Sequence, residues 1–177
     1  MGDRARIDEF TEYAVARQSH LLRTAYLLCG DWHTAQDLTQ TALFNLCKAW
    51  QRARRADSVD AYAQKTLINA FIRGQRRSRR EREVRAAAFA GRDRLADDGH
   101  DPDRPENRLA LLSALDRLGS RARAVVVLRY WEDLSVEATA AVLGCSTGTV
   151  KSQSSRALAR LRVLLGEEFS PEGKSQR

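Results

Sequence analysis

No proline interrupts the first 101 residues of this 177-residue chain; all three prolines lie beyond, at Pro102, Pro105 and Pro171. Proline stops a helix because it lacks an amide donor and its ring clashes with the preceding turn. The uninterrupted stretch is rich in Ala, Leu and Arg, among the strongest helix formers. Aromatic residues make up only 7% of the chain, which leaves little material for β structure. The expected fold class is therefore all-α. The length suits one domain or two small ones, each with a modest core.

Apolar spacing divides the chain further. Phe10, Ala14, Leu21, Ala25 and Leu28 recur at intervals of three, four or seven, the period of a helix face. Gly30-Asp31 ends that pattern. A second one, Ala35, Leu38, Ala42, Leu43, Leu46 and Trp50, predicts a helix to about Arg54, with Asp31 or Thr34 as its N-cap. A third begins near Ser58, carries Val59, Tyr62, Thr66, Leu67, Ala70 and Phe71, and dissolves into the arginine run Arg76–Arg80. Three helices with short connections predict a compact bundle over residues 1–80.

Residues 81–106 have a weak apolar signal. A short helix over Ala86–Ala88 is open, and the acidic run from Asp97 to Pro105 reads as a mobile linker. Order resumes over residues 107–168. Pro105 is well placed for a first helical position. Leu109, Leu112, Leu115 and Leu118 then form a stripe stopped by Gly119. Ser120 is the expected N-cap of a helix Arg121–Glu132, Ser135 caps another that Gly144 ends, and Ser146 or Thr147 opens a last long helix. Residues 169–177 form a polar tail.

The formal net charge of +7 matters for where it sits. Residues 73–94 hold nine arginines against Glu81, Glu83 and Asp93, a local +6. Residues 95–106 swing to −4, and residues 145–162 return to +4 with Lys151, Arg156, Arg160 and Arg162 and no acid. Two basic blocks around an acidic one are the electrostatic footprint of a polyanion partner.

The second basic block lies on the strongest local motif. Leu134 to Leu158 reads as a helix of about eight residues, a turn at Gly144 and a second helix. Ala140, Val142 or Leu143, and Val150 fall where the two must pack, and small Ala140 and Ala141 permit a close crossing. This is a helix-turn-helix, whose second helix enters the major groove. Ser146, Thr147 and Thr149, with the amides of the first turn, suit phosphate. Lys151, Ser152, Ser155 and Arg156 share the exposed face once Val150 points inward, and these side chains can read base edges.

Here a resemblance becomes specific. Arg129-Tyr130-Trp131-Glu132-Asp133-Leu134-Ser135 and Gly148-Thr149-Val150-Lys151-Ser152 resemble region 4 of an extracytoplasmic-function (ECF) sigma factor of bacterial RNA polymerase, of the actinobacterial type. The resemblance implies that this segment reads the −35 promoter element. The run Ala35–Phe44 resembles region 2.2, which docks on the polymerase β′ clamp helices. Asp37, Gln40 and Thr41 share one face that Phe44 continues, although the family often has Glu where Thr41 stands. The run from Tyr62 to Arg77 resembles regions 2.3 and 2.4, which melt and read the −10 element. There Lys65, Asn69, Arg73, Arg76 and Arg77 would supply hydrogen bonds and backbone charge. Tyr62 would be a stacking face or a core aromatic, the core being preferred.

The resemblance covers about residues 7–80 and 107–165. It implies two helical domains on a flexible linker that threads toward the active-site channel. The implied partners are core RNA polymerase (β′ clamp helices and β flap), promoter DNA and an anti-sigma factor. No enzyme is expected, because no phosphate loop, Ser/His/Asp set or carboxylate pair is present. No cofactor or metal is expected either: Cys29 and Cys47 on apolar faces and Cys145 in the turn read as structural, and His20, His33 and His100 are isolated. Trp32, Trp50 and Trp131 are expected in core or domain-edge packing. No run is long enough to cross a bilayer, and acids occupy the N-terminus where a signal peptide is apolar, so a cytoplasmic location is expected. Two rivals stay open at this level: a free-standing helix-turn-helix regulator, and an inactive sigma-like decoy that binds polymerase.

Overall fold

The computed structural model describes residues 3–88 and 105–166. The acidic linker from Asp97 and the tail over 169–177 lie outside the described residues. Among the described residues there are helices and no strands, grouped in two compact units.

In the first unit, α1 (Asp3–Cys29) turns at Gly30, whose φ of +75° favours a residue without a side chain. Asp31 then caps α2 (Trp32–Lys48), accepting the Thr34 amide at 2.6 Å. Hydrogen bonding by Thr34, first through its side chain and then its backbone, holds the Asp31 carboxyl below the usual carboxylate range. Leu21, Ala25 and Leu28 of α1, Ala35, Ala42 and Leu46 of α2, and Ala63, Leu67, Ile68 and Phe71 of α4 (Val59–Ala88) are buried and form the core. Ser58 caps α4 by accepting the Ala61 amide.

Two expectations for this unit need correction. The second helix stops at Lys48 rather than near Arg54. Ala49 leaves the α conformation, and a single turn, α3 (Trp50–Ala53), follows. The break stands directly before Trp50, which is 3% exposed and packs its ring on Phe10 and Tyr13 with centroids at 5.4 and 5.3 Å. The third helix does not dissolve in the arginine run; it continues to Ala88. Arginine has a helix propensity near that of Leu, and Arg77 pairs with Glu81 one turn on at 2.8 Å. A polar clasp joins α1 to the start of α4: the Tyr13 hydroxyl donates to Asp60 Oδ1 at 2.9 Å, and Arg17 pairs with the same carboxylate.

The described part of the second unit starts at Pro105, the first residue of α5 (Pro105–Asp116). Leu112, Leu115 and Leu118 are buried, whereas Leu109 is exposed. Ser120 is not a side-chain cap: α6 (Ser120–Val126) takes Gly119 as its N-cap residue without one. The expected helix to Glu132 also changes form. Val127–Trp131 is a π-helical turn, closed by the Glu132 amide donating to the Val127 carbonyl at 3.0 Å. Then come α7 (Val136–Leu143) and α8 (Thr147–Leu165). Of the three tryptophans only Trp50 is buried; Trp32 is 39% and Trp131 48% exposed. Cys47 is likewise exposed, while Cys29 and Cys145 are half-buried.

Candidate nucleic-acid interface

The helix-turn-helix is built by local chemistry. Ser135 caps α7 by accepting the Ala138 amide at 3.0 Å. Gly144 closes it in the left-handed conformation, φ 60° and ψ 45°, with its amide on the Ala140 carbonyl. Ser146 caps α8, accepting the Thr149 amide at 3.2 Å. The crossing is sealed by Val125, Ala140 and Val150, with Val136, Leu143 and Cys145 around them. Ala140 supplies the close approach; Ala141 is exposed and does not.

Along α8, Val150, Ser154, Ala157 and Leu161 are buried. Lys151, Ser152, Ser155 and Arg156 are all exposed and share an arc of roughly 140° on the opposite side at 100° per residue. Capping alters what the polar side chains can do. The Thr149 amide is bound to Ser146, so Thr147 and Gly148 carry the first-turn amides left for an anion. Ser146 Oγ and Thr149 Oγ1 bond each other at 2.9 Å. The Ser152 hydroxyl donates to the Thr149 carbonyl at 3.1 Å, which turns its lone pairs outward to accept from a base amino group.

On α4, Tyr62 and Asn69 are half-buried, and Lys65, Arg73, Arg76 and Arg77 are exposed. All six fall within an arc of roughly 120°, facing away from Leu67 and Phe71, and run for about 22 Å along the helix. That length corresponds to about six base-pair steps of 3.4 Å. Arg80 stands one more turn along the same face; its spacing from Arg73 is the signal that could have found it. On α2, Asp37, Gln40, Thr41 and Phe44 are exposed, on an arc of roughly 100° opposite buried Ala35, Thr39, Ala42 and Leu46. Phe44 is 65% exposed, and Lys48 sets its ammonium 5.3 Å from the ring centroid. Lys48 shares the Phe44 face, and its i,i+4 spacing is the sequence signal for it.

Comparison with known proteins finds two family matches along the chain. Sigma-70 region 2 matches residues 14–81, and Sigma-70, region 4, matches residues 108–161. The chain is 42% identical over 154 residues to the RNA polymerase sigma-E factor of Streptomyces avermitilis, covering 87% of this chain and 83% of that protein. The chain belongs to the ECF sigma factors. It is also 31% identical over 179 residues to the ECF RNA polymerase sigma factor SigE of Mycolicibacterium smegmatis, covering 98% of this chain and 68% of that protein. Among solved structures it is similar to the sigma factor RpoE of Bartonella quintana, determined in complex with the anti-sigma factor NepR. That likeness has a TM-score of 0.72 and 26% identity, over 89% of this chain and 96% of the other.

This ECF sigma factor thus directs RNA polymerase to promoters, where transcription begins. Its region 2 match holds the α2 and α4 faces, and its region 4 match holds the α8 face. Among the described residues no group of three His, Cys, Asp or Glu side chains could hold a metal, and no helix is long and apolar enough to cross a membrane.

Proposed function

We propose that this sigma factor holds a promoter at two places, each with one helix face. The α8 face, Lys151, Ser152, Ser155 and Arg156, reads the −35 element in the major groove. Ser146, Thr147 and Thr149 fix the helix start against a phosphate. The α4 face, Tyr62, Lys65, Asn69, Arg73, Arg76 and Arg77, takes the −10 element as it opens, with arginines on the backbone and Asn69 and Tyr62 beside unstacked bases. Asp37, Gln40, Thr41 and Phe44 of α2 dock on the β′ clamp helices of core polymerase, and the second unit rests on the β flap. In this reading residues 1–80 and 107–168 are the working domains, and the acidic segment between them avoids DNA.

The observation that carries the reading is the division of α8. Its inner stripe is buried and its outer face holds exposed cations and hydroxyls without one acid. The protein acts without catalysis of its own, in the cytoplasm where polymerase works, and an anti-sigma factor, as in the RpoE complex, is the partner that would silence it. Reconstitution with core polymerase and run-off transcription on a promoter library test the whole scheme. Promoter-specific products are expected. Polymerase binding without promoter opening would favour a decoy, and tight DNA binding that needs no polymerase would favour a free-standing regulator.

A further inference from the structure

The inner stripe of α8 contains one polar residue. Val150, Ala157 and Leu161 are apolar, but Ser154 sits among them at 9% exposure. Its hydroxyl lies 3.1 Å from the hydroxyl of Tyr130, 24 residues earlier. Tyr130 belongs to the π-helical turn Val127–Trp131. One residue added to a helical turn rotates the residues after it by roughly a quarter turn relative to a continuous α-helix. Tyr130 lies within that widened turn. The neighbouring Arg129 donates to the Leu134 carbonyl, just ahead of α7, and its guanidinium stands 6.0 Å from the Tyr130 ring centroid. Two adjacent residues of one turn therefore hold both helices of the helix-turn-helix.

Apolar packing is non-directional, so small side chains such as Val150 and Ala157 set the distance of α8 from the core better than they set its roll. A hydrogen bond is directional and short-ranged. A roll of roughly 20° would carry side-chain atoms 5–6 Å from the helix axis through about 2 Å. That displacement exceeds what the 2.7–3.2 Å range of a base contact tolerates. We infer that Tyr130 and Ser154 are positioning residues for −35 readout: their hydrogen bond, brought into reach by the π-helical turn, fixes the roll of α8 and so the register of its reading face. The inference rests on the assignment of α8 as the −35 reading helix.

The test uses the full chain with core polymerase on a promoter library randomised over the −35 positions, with transcripts sequenced. Tyr130→Phe keeps the ring and Ser154→Ala keeps the small volume, so each removes little but the hydrogen bond. Each is expected to lower the enrichment of preferred −35 sequences over the library mean by about threefold to tenfold, the range of one net hydrogen bond. The double variant should lose no more than either single one, since both delete the same contact. Unchanged enrichment in the single variants overturns the inference, even if their thermal midpoints fall, because the bond would then be structural only. Losses that multiply in the double variant overturn it too. Lys151→Ala in the same library separates the two readings. If it changes the profile while Tyr130→Phe does not, positioning alone is wrong; if neither does, the reading of α8 has failed with it.

Discussion

Val150 is the residue on which the helix-turn-helix closes, and shortening it gives a calculable loss. Its side chain is fully buried against Val125 and Ala140, and its amide is bonded to the Ser146 carbonyl at 3.1 Å. Val150→Ala removes two methyl groups, worth about 1.6 kcal/mol at roughly 0.8 kcal/mol each. The space they leave is about 50 Å³, which adds about 1 kcal/mol at roughly 24 cal/mol per Å³ if none of it collapses. Alanine returns about 0.6 kcal/mol through its higher helix propensity, and the backbone bond is untouched. The net loss is about 2 kcal/mol, close to a 30-fold change in an equilibrium constant. Native-state amide hydrogen exchange on the full chain measures it directly. Amides of α6, α7 and α8 that exchange only when the unit unfolds should lose about 30-fold of their protection. A loss below about threefold would refute the reasoning, because the three helices would then not depend on this contact.

Other substitutions probe the remaining faces. Arg156→Ala should cost about 1–3 kcal/mol and relax discrimination at one base pair, measured by competition among singly substituted −35 duplexes with the holoenzyme; uniform weakening would make Arg156 a phosphate contact instead. Phe44→Ala should change stability by less than about 0.5 kcal/mol, since the ring is 65% exposed, yet weaken binding to core polymerase by about tenfold or more; unchanged polymerase affinity would remove Phe44 from the docking face. Thr139 is fully buried and its Oγ1 has no hydrogen-bond partner, so Thr139→Val should stabilise the second unit by about 1 kcal/mol in urea denaturation, and destabilisation would show the hydroxyl to be satisfied. Burial pushes the Tyr13 phenol up, against the opposing charge of Arg17. A raised folded value means stability fully present below the ordinary tyrosine pKa of about 10 and lost as pH rises above it. Tyr13→Phe should therefore cost about 1 kcal/mol at neutral pH, through the bond to Asp60, and flatten the decline above pH 10; an identical alkaline decline would exclude Tyr13 as its source.

The range of each interaction decides whether the sequence alone reveals it. Asp31, Ser135, Gly144 and Ser146 each act within three or four residues, so residue type and position nearly suffice to locate the helix ends. The break at Ala49 stands beside Trp50, whose ring meets Phe10 and Tyr13, and the π-helical turn carries Tyr130, whose partner Ser154 lies 24 residues on; no local spacing encodes such contacts. The arginine run hides its helix for another reason: apolar periodicity measures burial, and Arg76–Glu81, exposed throughout, have none to show. The same division applies to the site. The outer faces of α2, α4 and α8 are complements of buried stripes, and one period of 3.6 residues reveals both at once. Contacts that aim those faces join the inner stripe of one helix to another element, as Ser154 joins Tyr130. If aiming matters as much as touching, substitutions that change promoter choice without meeting DNA should concentrate on inner stripes. On α8 the residue to expect them at is Ser154, the one inner position whose contact has a direction.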